Sequence, residues 1–73
     1  MTRSIRTKEY AYFVERLQKA RFESGLTQVE VAKKLKRPQS HISNVESGQQ
    51  RVDVVELQNF AKIYNKNIGY FIK

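Results

Sequence analysis

Apolar side chains recur at helical spacing between residues 8 and 23, where the chain reads KEYAYFVERLQKARFE. Spacings of three and four residues place them on one face of an α-helix, and the remaining positions are mostly charged. Ser24-Gly25 then supplies the left-handed residue that commonly ends a helix. The pattern predicts an amphipathic helix of about four turns whose inward face is Tyr10, Phe13, Val14, Leu17 and Ala20.

A second, shorter helix is predicted directly after the first. Thr27 lies three residues before Glu30, which is the spacing of a capping box, where each side chain bonds the other residue's backbone amide. The inward stripe of this helix is Val31, Ala32 and Leu35.

The third helix is predicted from the stretch RPQSHISNVESG at 37–48. Pro38 suits the first turn of a helix and Gly48 suits its end. Only Ile42 and Val45, three residues apart, face inward. The outer face carries hydrogen-bonding side chains in place of the usual Lys and Glu, namely Gln39, Ser40, Ser43 and Asn44.

A fourth helix begins at Asp53 and has an apolar face made of Val54, Leu57, Phe60, Ala61 and Tyr64. The stretch 65–67, Asn-Lys-Asn, interrupts it, because asparagine tolerates the left-handed conformation. IGYFI at 68–72 predicts one last helical turn. No strand-like alternation occurs, so the sequence predicts an all-α, single-domain protein of five helices over residues 1–73, with a flexible basic arm at 1–7.

Charge narrows the range of partners. The chain has 14 Lys+Arg against 7 Asp+Glu, a net charge of +7, and most of the excess lies in residues 1–37. A small body this positive attracts polyanions. Composition alone leaves three alternatives open: nucleic acid, general solubility and a membrane surface.

Several kinds of chemistry lack the residues they need. There is no cysteine and only one histidine, His41, so a metal site or a catalytic dyad has no second partner. We therefore expect no enzyme activity and no cofactor, and we expect His41 to contact DNA or solvent. The longest apolar run, at 10–14, is far too short to span a bilayer, and the polar start is no secretory signal. A soluble, cytoplasmic protein is expected.

The second and third helices together have the spacing of a helix-turn-helix at about residues 27–47. Counted from Gln28, apolar side chains fall at the fourth, eighth, fifteenth and eighteenth places, with the small Ala32 at the fifth. Two helices that cross at about 90–120° need a small residue where they meet.

The sequence resembles the Cro/C1-type (XRE-like) family of helix-turn-helix DNA-binding regulators. The resemblance extends from about residue 12 to residue 72. The stretches that carry it are GLTQ at 25–28, Ala32, RPQSHISNVESG at 37–48 and RVDVVEL at 51–57. It implies a lambda-repressor-like domain whose third helix, about 38–47, reads the major groove of double-stranded DNA.

The resemblance also implies roles for individual residues. Base contacts are expected from Gln39, Ser40, Ser43 and Asn44, and glutamine and asparagine suit adenine because they can pair with it through two hydrogen bonds. The expected phosphate contacts are Gln28, Lys36, Arg37 and Arg51. The alternative to a phosphate contact is ordinary helix-start polarity for Gln28, and pairing with Asp53 or Glu56 for Arg51.

Three further expectations follow from the resemblance. Arg21 and Glu46 are expected to form a structural pair that holds the third helix at its angle. Lys36 stands where family proteins commonly have glycine, so it is expected at positive φ with strain of about 1 kcal/mol. A dimer contact is expected from the last segment, at Tyr70, Phe71 and Ile72.

The function predicted from the sequence is a sequence-specific transcriptional regulator of bacterial or phage type. A single reading helix covers few base pairs, so a homodimer on a palindromic operator is expected, with half-sites about 34 Å apart. The alternative is an antitoxin or phage-control type module whose main partner is another protein.

Overall fold

Four α-helices form the fold in the computed structural model, which describes residues 7–72. They are α1 (Lys8–Ser24), α2 (Gln28–Leu35), α3 (Gln39–Glu46) and α4 (Val54–Tyr64). No strand occurs in this range, and the all-α prediction is confirmed. The predicted fifth helix is a single 3-10 turn, Ile68–Tyr70, since three residues with Gly69 at their centre are a poor start for an α-helix.

Local sequence signals set most of the helix ends. Gly25 ends α1 at φ 70° and Asn65 ends α4 at φ 57°. The capping box is present, because the Thr27 amide donates to Glu30 Oε1 at 2.8 Å and the Glu30 amide donates to Thr27 Oγ1 at 3.1 Å. Pro38 differs from the prediction: it lies just outside α3 at the N-cap position, with an extended ψ of 152°.

The start of α1 is capped by Thr7, whose hydroxyl accepts a hydrogen bond from the Tyr10 amide at 3.1 Å. Thr7 is therefore fixed at the N-cap of α1 and is not part of a flexible arm, and the rest of the predicted basic arm, residues 1–6, lies outside the described residues. In the described range, no helix combines the length and apolar character needed to cross a membrane.

The core lies where the four helices meet, and α2 makes its most extensive contacts with α3. Val54 was wrongly assigned to it: as the first residue of α4 it lies past the edge of the core and is 66% exposed. The buried apolar residues are Phe13, Leu17, Ala20, Val31, Ala32, Ile42, Val45, Leu57, Phe60, Ala61, Tyr64 and Phe71.

Phe71 corrects the expectation of a dimer contact. It is 0% exposed and makes an edge contact with Phe13, with ring centroids 6.5 Å apart, so its ring is used within the core. Tyr70 is half-buried, with the Arg16 guanidinium 3.9 Å from its ring centroid. Ile72 is 50% exposed, more than either of the other two candidates.

Candidate nucleic-acid interface

Helix α3 buries its apolar side chains and exposes most of its polar ones. Ile42 and Val45 are fully buried and anchor the helix to the core. The expected base-contact side chains are all exposed: Gln39, Ser40, Ser43 and Asn44. The fold therefore presents one continuous row of amides and hydroxyls to the exterior.

Gln39 is oriented by a chain of side-chain hydrogen bonds that begins at Glu46. The carboxylate of Glu46 can only accept hydrogen bonds, and it accepts one from Gln28 Nε2 at 3.1 Å. Gln28 is thereby left with Oε1, which accepts from Gln39 Nε2 at 3.0 Å. The Oε1 acceptor and the second N–H of Gln39 stay free, and these are the two groups that pair with an adenine edge.

Glu46 is itself held by Arg21 of α1. Arg21 Nε donates to Glu46 Oε2 at 2.7 Å and Nη2 donates to Oε1 at 3.0 Å, a two-pronged contact. The side chains are only 12% and 7% exposed. The hydrogen bonds to Glu46 raise the pKa of Arg21, with burial acting against them. This ion pair joins the late part of α1 to the end of α3.

Two residues missed by the sequence analysis complete this junction. Gln18 Nε2 donates to the Glu46 carbonyl at 2.6 Å, satisfying an acceptor at the end of α3. The ring of Phe22 lies 4.7 Å from Arg21 Cζ although it is 67% exposed. Their position near Arg21 in the sequence reveals neither the hydrogen bond from Gln18 to α3 nor the packing of the Phe22 ring against the guanidinium.

The turn between α2 and α3 holds two of the expected phosphate contacts. Lys36 has φ 60° and ψ 45° and closes α2, with its amide bonded to the carbonyls of Ala32 and Lys33. The positive φ expected at this position is present, and the lysine side chain is exposed. Arg37 is half-exposed, with its Nε 3.5 Å from Glu56 Oε2.

Arg51 follows α3 in the loop before α4 and is exposed. Its guanidinium lies over the Tyr10 ring, 4.9 Å from the centroid, and the Tyr10 hydroxyl accepts from the Val52 amide at 3.2 Å. Among residues 7–72 no ion pair joins Arg51 to Asp53 or Glu56, which were the alternative partners. Its side chain is therefore exposed, with the guanidinium resting on the Tyr10 ring.

A comparison with protein families identifies the architecture. The model of the helix-turn-helix domain matches residues 13–65, most of the chain. The chain belongs to the helix-turn-helix family. Membership suggests DNA as a partner. No curated protein matches the chain.

Within this helix-turn-helix domain His41 does not lie where the sequence analysis expected it. Its Nε2 lies 3.0 and 3.1 Å from the two carboxylate oxygens of Glu56 on α4, and its side chain is only 14% exposed. The expectation of a solvent contact is therefore wrong, because the imidazole is paired with Glu56 at the start of α4, whereas a contact with DNA stays a prediction. Glu56 is a further residue that the sequence analysis did not assign to the site.

Proposed function

We propose that this chain is a sequence-specific, double-stranded DNA-binding transcriptional regulator that inserts α3 into the major groove. One observation carries the proposal: the exposed row of Gln39, Ser40, Ser43 and Asn44 on a helix anchored from behind by Ile42 and Val45. A solvated surface helix gains nothing from this composition, whereas base edges need paired donors and acceptors.

Phosphate contacts supply much of the affinity in this proposal. Gln28, Lys36, Arg37 and Arg51 are the expected donors, and the net charge of +7 favours association with a polyanion. Base contacts from α3 supply the discrimination between sequences. Because one helix reads few base pairs, the protein acts as a homodimer on a palindrome, and Ile72 is the exposed apolar candidate for the contact between copies.

Selection of bound duplexes from a random pool at physiological salt tests the proposal. A two-fold symmetric consensus with half-sites about 34 Å apart is expected. A folded protein that enriches no sequence would contradict it and would favour the alternative, a module whose main partner is another protein.

Single substitutions then assign the roles. Gln39→Ala is expected to relax preference at one base position, at a cost of about 1–3 kcal/mol on the selected duplex. Gln58→Ala, at an exposed glutamine of α4, is the matched control. Equal loss on selected and scrambled duplexes would exclude a base contact by Gln39.

Arg51→Ala is expected to weaken binding to every duplex and to lower the slope of log affinity against log salt by about one. Arg51→Lys keeps the charge and is expected to keep the slope. An unchanged slope in Arg51→Ala would exclude a phosphate contact.

A further inference from the structure

Two basic residues near the N-terminal end of α3, His41 and Arg37, share the carboxylate of Glu56. His41 Nε2 lies 3.0 and 3.1 Å from its two oxygens, and Arg37 Nε lies 3.5 Å from Oε2. The side chains of Glu56 and His41 are 11% and 14% exposed, whereas that of Arg37 is 50% exposed. The carboxylate and imidazole are thus largely withdrawn from water, while the guanidinium remains within reach of an external partner.

The contact between Arg37 and Glu56 is loose enough to be exchanged. It joins one nitrogen to one oxygen at a distance beyond a good hydrogen bond, and it lacks the parallel two-bond geometry of a strong arginine–carboxylate pair. A carboxylate and a phosphate are both oxyanions, so Glu56 and a DNA phosphate compete for the same guanidinium. Any hold that Glu56 has on Arg37 therefore reduces DNA affinity.

His41 decides how much of the carboxylate's charge remains for Arg37. The imidazole lies across both oxygens, so it takes the better position of the two basic groups. The contact with the imidazole occupies lone pairs on both oxygens, so Arg37 is held less tightly than it would be by an unshared carboxylate.

We propose that Glu56 restrains Arg37 by competing with the DNA phosphate, and that His41 weakens this restraint by sharing the same carboxylate. This inference rests on the proposed function, because it concerns a phosphate contact of the same interface. It makes His41 and Glu56 positioning residues, which act on DNA through Arg37.

Other charged groups surround this cluster and are part of its electrostatics. At the start of α4, the N-cap residue Asp53 lies one turn before Glu56 and accepts a hydrogen bond from the Glu56 amide at 2.8 Å. From α1, Tyr10 is close enough to be influenced by Glu56 and by the loop residue Arg51; burial is the main cause that raises its pKa. Neither residue bonds to the Glu56 carboxylate, so substitution of Glu56 addresses the shared pair directly.

A double-mutant cycle on the selected duplex tests the restraint. Glu56→Gln keeps the shape and a hydrogen-bond acceptor for His41 but removes the charge. We expect it to tighten binding by about two- to fivefold, the range for a half-exposed ion pair, and to have a much smaller effect when Arg37 is replaced by Gln. Glu15→Gln, at an exposed position on α1, controls for the change in net charge. An equal gain with and without Arg37 would overturn the proposal.

Substitution of His41 tests the part that it plays. His41→Ala leaves the Glu56 carboxylate to Arg37 alone, so DNA binding is expected to weaken by up to about fivefold. The loss is expected to be much smaller when Glu56 is already replaced by Gln. An equal loss in both backgrounds would overturn the assignment.

A measurement without DNA separates this proposal from the proposed function. The Arg37 Nε–H resonance of the free protein is expected to move when Glu56→Gln removes the charge of its partner, and to stay fixed in the control Glu15→Gln. Circular dichroism confirms that each variant remains helical. If the resonance does not move, the restraint is wrong even where DNA binds; if it moves and no duplex binds, the proposed function fails and the coupling stands.

Discussion

Loss of the Glu46 carboxylate is expected to destabilise this domain strongly. In Glu46→Ala the guanidinium of Arg21 loses both of its carboxylate bonds, at 2.7 and 3.0 Å, and keeps only the Leu26 carbonyl at 3.1 Å. The Arg21 side chain is 12% exposed, so water can reach little of its charge. Gln28 loses its acceptor at the same time.

The magnitude follows from the burial of the pair. Removing one partner of a buried ion pair costs about 3–5 kcal/mol, because an unpaired charge remains in the interior. A chain of 73 residues has a free energy of unfolding of roughly 4–11 kcal/mol at the usual value per residue. Glu46→Ala is therefore expected to take about a quarter or more of the total stability.

Urea unfolding followed by circular dichroism measures the effect, with coincident fluorescence of the tyrosines as the check on two-state behaviour. The informative comparison is Arg21→Met combined with Glu46→Leu. This double variant leaves no buried charge, so it is expected to be more stable than Glu46→Ala. It also removes the acceptor that orients Gln28, so weaker DNA binding is expected even though the fold is retained.

Two outcomes would refute this reasoning. A loss of less than about 1 kcal/mol in Glu46→Ala would mean that the pair behaves as an exposed one. A double variant as unstable as the single variant would mean that packing around Arg21, rather than an unpaired charge, causes the loss.

Two further predictions concern the turn and the C-terminal segment. Lys36→Gly is expected to raise the free energy of unfolding by about 1 kcal/mol, since the backbone has φ 60° there, and to weaken binding to all duplexes; Asn65→Gly, at φ 57°, is the control with a smaller gain because asparagine tolerates this conformation. Hydrogen bonds to Glu23, from Lys66 at 2.8 Å and then from the Tyr70 hydroxyl at 3.0 Å, lower the pKa of Glu23. Their contribution is present above the unfolded pKa of about 4.3 and is lost as pH falls through the lower folded pKa. Glu23→Gln is thus expected to be less stable than the wild type at neutral pH and to approach it in acid, as measured by thermal unfolding at each pH. For Glu23→Gln, a stability difference from the wild type that is the same at every pH would contradict the role given to Glu23. For Lys36→Gly, an unchanged free energy of unfolding would contradict backbone strain at Lys36.

The helix ends could be predicted from the sequence because their causes are local. Gly25, the capping box at Thr27 and the left-handed Asn65 each act within four residues of the chain, and side-chain spacing gives the face that is buried. The polar row on α3 follows from the same periodicity. The single 3-10 turn after α4 and the exposure of Val54 could not be predicted in this way, because periodicity does not show how far the core extends along a helix.

The contacts between helices were decided by the tertiary structure. Glu56 and His41 are 15 residues apart, and nothing local in either segment indicates that α4 brings the carboxylate to the flank of α3. The link from Glu46 through Gln28 to Gln39 likewise depends on how α2 and α3 pack. Phe71 was expected at the surface, and only the position of α1 shows that its ring completes the core. Short-range interactions determine which residues are helical, but the packing of the helices determines which side chains are in contact. The candidate site consists of those contacts.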